Sequence, residues 1–144
     1  MIPVKAILVG VSIAFLATLV LIVLIAFAQD PESEPGPVLT ALSWVLGAVV
    51  RACSGYVAAR MSVRTGSRGL VVGAGAIAGA MGYALFLSLM ATFAALGGHP
   101  GFSVGDVVGL PVWAAQAAVG GVLAVVLHRK RIATEAQNAT WAYG

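Results

Sequence analysis

Hydrophobic positions along this chain fall into four long runs, Ala6–Ala28, Val38–Ala59, Gly69–Leu96 and Val107–Leu127, separated by short polar connections. Each run meets or exceeds the roughly 20 residues needed to cross about 30 Å of hydrocarbon. None alternates with period two, so the strands of a closed barrel have no support, and helices are the remaining way to satisfy a backbone inside lipid. The pattern predicts an all-α integral membrane four-helix bundle with up-down-up-down topology. It forms a single transmembrane domain over residues 1–144, because the connections leave no room for a separate soluble one.

The four spans differ in kind. Span one is rich in Leu, Ile and Val with the single Gly10, which suits a helix facing lipid over much of its surface. Span three carries Gly69/Gly73 and Gly75/Gly79 at the four-residue spacing that lets backbones approach closely, which predicts a place at the centre of the bundle. Span four repeats the device through Gly105/Gly109, Ala117/Gly121 and Gly120/Ala124, with Pro111 able to kink its outer end. On span two the small residues Gly47, Gly55 and Ala59 share one face with Arg51.

Composition confirms the class: the chain is 60% hydrophobic and only 9% charged, with a mean hydropathy of +1.02, so a water-soluble fold could not cover its apolar residues. The net charge of +3 matters less than where the charges fall. Lys5 precedes span one, Arg60, Arg64 and Arg68 join spans two and three, and Arg129, Lys130 and Arg131 follow span four. The connection between spans one and two holds Asp30, Glu32 and Glu34 without a basic residue, and the one between spans three and four holds His99 and Asp106. The positive-inside rule then places both termini in the cytoplasm. Orientation accounts for the basic residues, which leaves no large basic face for nucleic acid, although they could hold anionic lipid headgroups.

Arg51 is the one cation inside a span. Nine residues separate it from Arg60, about 13 to 14 Å along a helix, which puts it well below the cytoplasmic surface. Two readings follow: the side chain snorkels toward headgroups or backbone carbonyls, or it points into protein and finds a partner there. Its place on the small-residue face favours the interior. Asp106 sits at the opposite end of its own span and is mismatched in depth, whereas Gln116, about 15 Å further along span four, is a better matched neutral partner.

Other patterns carry less. Ala26-Phe27-Ala28 resembles a signal-peptidase site, but the apolar run before it exceeds the roughly 7 to 15 residues of a signal peptide, so an uncleaved span is expected. Gly73-Ala74-Gly75-Ala76-Ile77-Ala78 matches a dinucleotide fingerprint, yet no βαβ unit surrounds it and no acid follows about 20 positions on. Asn138-Ala139-Thr140 is a glycosylation acceptor pattern placed on the cytoplasmic side, where it stays unmodified. His99, Asp106 and His128 are too dispersed for a metal cluster, and the lone Cys53 forms no internal disulfide. Ser12, Thr18, Ser54, Ser88 and Thr92 have no paired base. No catalytic, cofactor or metal site is expected, and the chain is not expected to be an enzyme. The tail from Ile132 to Gly144 is too mixed to assign; Trp141 and Tyr143 could rest at headgroup level.

The segment "LGAVVRACSGYVAARMSVRTGSRGLVVGAGAIAGAMGYALF" resembles the YrzE-type family of small four-span bacterial membrane proteins. That resemblance implies four spans in a bacterial inner membrane; the family supplies no activity and no site residues. The expected function is a structural or accessory subunit, packing as a homo-oligomer or into a larger membrane complex. The alternative is a minimal oligomeric transporter or channel, for an anion, with a pathway near Arg51 and Gln116. Span one holds no carboxylate, which argues against proton-coupled export of cations.

Overall fold

The computed structural model describes residues 4–28, 36–63, 67–97 and 104–142, the side chains of 104–107 and 130–142 excepted. Asp30, Glu32, Glu34, Arg64, His99 and Tyr143 lie outside the described residues, as do the side chains of Asp106, Lys130, Arg131, Asn138, Thr140 and Trp141. The described residues form four helices: α1 (Val4–Ala28), α2 (Pro37–Ser62), α3 (Arg68–Leu96) and α4 (Val104–Ala142). Each contains a stretch long and apolar enough to cross a membrane.

Local chemistry sets the ends. Gly36 precedes Pro37, whose fixed φ suits the first helical position, and the Thr40 amide donates to the Gly36 carbonyl at 3.0 Å. Ser67 opens α3 without a side-chain cap, and Gly97 closes it with its amide donating to Phe93 at 2.9 Å. The tail differs from expectation, because α4 continues without a break from the fourth apolar run to Ala142. Residues 128–142 hold neither Gly nor Pro and are rich in Ala, Arg, Lys, Glu and Gln, so nothing interrupts the backbone ladder. Pro111 lies within the second turn of α4, and the helix runs through it.

α2 and α3 touch each other and both flanking helices, while α1 and α4 make no contact with one another among the described residues. α3 is the most enclosed, with 39% of its most apolar stretch buried against 22% for α1. α2 shares the central position, which the Gly pattern of span three alone did not indicate. The interior is made of very small groups: Ala14, Ala58, Ala59, Ala74, Ala78 and Ala117 are fully buried, and the largest side chain so enclosed is Ser54. Apart from Arg51, Tyr83, Trp113 and a few valines, the bulky residues, among them Leu16, Leu24, Phe27, Leu85 and Phe93, are exposed on the outer surface of the described bundle.

The hydroxyls explain themselves locally. Ser54 donates to the Arg51 carbonyl, Ser62 to Ala58, Ser88 to Ala84 and Thr92 to Ser88, each at 2.8 Å. Bonded to its own helix, such a hydroxyl adds little polarity to the span. Thr18 is the exception: it is 7% exposed, and its Oγ1 is the one buried side-chain polar atom without a partner among the described residues. Thr18→Val keeps the shape and removes the orphaned hydroxyl. It should stabilise the bundle by about 1 kcal/mol in thermal unfolding in detergent; a loss of stability would mean that the hydroxyl is satisfied.

Candidate functional site around Arg51

Arg51 stands close to halfway along α2 and is 7% exposed. Cα–Cβ bonds in a helix tilt toward its N-terminus, so a long side chain on α2 extends away from Arg60 and toward Gly47. The guanidinium follows that direction. A Cβ built on Gly47 would lie 2.9 Å from Nη2, 3.0 Å from Nη1 and 3.2 Å from Cζ, so the missing side chain of Gly47 is the space that the guanidinium occupies. Snorkelling toward the basic end of the helix is therefore not what Arg51 does.

Across the interface, Nε donates to Gln116 Oε1 on α4. One turn away on the same helix face, Trp113 presents its ring with its centroid 4.4 Å from Cζ. Trp113 is 8% exposed and is itself backed by Tyr83, at 4.7 Å between centroids, and by Phe86, at 5.9 Å, both on α3. A desolvated cation over a Trp face is worth about 2 kcal/mol, and the hydrogen bond is charge-assisted. Together they join three helices through one cation. The two Nη groups make no hydrogen bond among the described residues.

The candidate glycines divide into three groups. Gly55, Gly75 and Gly79 meet at Ala117: a Cβ on Gly55 would run into the Ala117 carbonyl, one on Gly75 would come within 3.0 Å of the Gly55 oxygen and 3.2 Å of the Ala117 oxygen, and one on Gly79 within 2.8 Å of the Trp113 oxygen. A Cβ on Gly121 would stand 3.1 Å from the Val72 Cα. Gly47 serves the arginine rather than a backbone. Gly69 and Gly73 do neither: among the described residues a Cβ there would meet nothing within 4 Å, so the four-residue spacing is present but no described neighbour lies on that face.

Trp113, Tyr83 and Phe86 belong to the site and were not among the candidates. The spacing of Trp113 three residues before Gln116 was the available signal; nothing in the sequence marked the two α3 aromatics. No group of three or more metal-ligating side chains occurs among the described residues, and Cys53 is an exposed free thiol on α2. The arrangement can hold helices together and can attract an anion. Compared with family models, with curated proteins and with solved structures, the chain finds no match.

Proposed function

We propose that this chain is a structural or accessory protein of a bacterial cytoplasmic membrane, without enzymatic activity, that assembles with itself or with a larger membrane complex. The carrying observation is that Arg51, the one cation within a span, is engaged by Gln116 and Trp113 of the same chain. Its Nε–H and one face of the guanidinium are committed to a neighbouring helix, as a contact that joins helices requires. The first turns of α2 support the reading: no residue from Pro37 to Leu46 is buried, and Trp44 is 64% exposed. That segment offers an apolar surface for a second protein.

The topology belongs to the same proposal. Gly10 adjoins Ala58 and Ala78, Gly82 adjoins Ala14, and Gly121 adjoins Val72 and Ala59, a register that suits an up-down-up-down order. The basic residues then collect at one end, which the positive-inside rule assigns to the cytoplasm together with both termini. The resemblance to the YrzE-type family agrees with a bacterial inner membrane.

Native mass spectrometry of the protein released from its own membrane in mild detergent tests the reading. A homo-oligomer or a complex with a larger membrane protein is the expected result; a monomer under every mild condition would refute it. An anion pathway is the second reading, favoured by the two Nη groups, which make no hydrogen bond among the described residues. It requires chloride or phosphate flux in proteoliposomes that Arg51→Gln abolishes while the protein stays folded.

A further inference from the structure

A cavity of about 170 Å³ opens between the end of α2, the start of α3 and the later turns of α4, lined by Val63, Arg68, Val71, Val125, His128 and Arg129. Its composition is divided. Val71 is buried, Val63 and Val125 are half-buried, and all three belong to the apolar cluster built on Ala59, Val71 and Ala124. Arg68, His128 and Arg129 are exposed and form the rim. We propose that this cavity binds a phosphate-bearing anion, and that its natural occupant is the headgroup of an acidic phospholipid.

Charge supports the phosphate. Two guanidiniums from different helices line one small space, and Arg is suited to gripping phosphate oxygens with paired N–H groups. α3 begins at Arg68, so the positive end of a 29-residue helix adds to the same potential, with Ser67 making no side-chain cap there. None of the six lining residues is an acid. The valine floor argues for a lipid over a free ion, because it accepts the first carbons of an ester and offers a bare phosphate nothing.

The test uses the full-length protein in a non-ionic detergent, titrated separately with dioleoylphosphatidylglycerol, dioleoylphosphatidylcholine and inorganic phosphate, with the bound fraction read by native mass spectrometry. Phosphatidylglycerol should be retained in preference to phosphatidylcholine. The double variant Arg68→Gln/Arg129→Gln should weaken its retention about 25-fold, about fivefold for each cation removed. Both residues are exposed, so their loss leaves the packing intact. Val125→Phe fills the cavity with every charge in place and should also reduce retention. Arg60→Gln removes an exposed cation outside the lining and should change little. Phosphate binding that the double variant abolishes, without phosphatidylglycerol retention, would assign the same cavity to a free phosphate. Equal retention of the two lipids, an Arg60→Gln effect as large as that of one lining arginine, or undiminished retention in a folded Val125→Phe protein would overturn the site.

Discussion

Gly120→Ala is expected to weaken the bundle by about 3 kcal/mol or more, a large effect for a single methyl group. The added Cβ would run into the Ala52 carbonyl oxygen on α2, and would stand 2.7 Å from the Tyr56 nitrogen and 2.8 Å from the Ala52 carbonyl carbon. All three are backbone atoms. No rotamer change can relieve the overlap, so α2 and α4 must move apart, and the Arg51 contacts that bridge the same two helices would loosen with them. Gly55→Ala should behave alike, with its Cβ 2.6 Å from the Ala117 carbonyl carbon and 2.8 Å from its Cα. The control is Gly69→Ala or Gly73→Ala, where the methyl meets open space. There the gain in helix propensity, up to about 1 kcal/mol, should appear as unchanged or raised stability. Thermal unfolding of the four variants in one detergent checks the contrast; similar losses at all four positions would mean that the close approach of α2 and α4 at Gly120 is wrong.

The same contrast marks how far the chain can be read from its residues. The four helices are legible because long apolar runs without period-two alternation favour helix, and the runs agree with the helices to within a few residues except at the end of α4. There, polar helix formers carry the helix beyond the stretch that hydropathy detects. Glycine spacing is less informative, since Gly69/Gly73 and Gly75/Gly79 share the four-residue interval on one helix and only the second pair has a neighbour. Spacing describes a face; whether another helix lies on it depends on the fold of the whole. The partner of Arg51 was legible by depth, which pointed to Gln116. Its direction along the helix was left open between two readings, and it follows from side chains on α2 leaning toward Gly47, a constraint that hydropathy does not express. Trp113 and its α3 backing are tertiary facts, and only the interval to Gln116 hinted at the first of them.

Gln116→Leu is expected to cost about 2 to 3 kcal/mol, more than Arg51→Met, because it leaves a buried charge with only the Trp113 ring to face it. Arg51→Met removes the charge and keeps much of the length that fills the space over Gly47. It leaves behind a neutral amide, which costs about 1 kcal/mol. Replacing both, Arg51→Met with Gln116→Leu, should return stability to near the parent value, since two apolar groups need no partner in lipid. The resulting coupling of about 3 to 4 kcal/mol, read from unfolding of all four proteins in one detergent, measures the interaction without assigning it to either residue. The double variant also separates structure from function. If it is stable and still assembles as the parent does, Arg51 is a lock between α2 and α4 and nothing more. If it is stable and loses its assembly or an anion flux, the Arg51 guanidinium acts on something outside the chain, and the accessory reading gives way to one in which Arg51 binds.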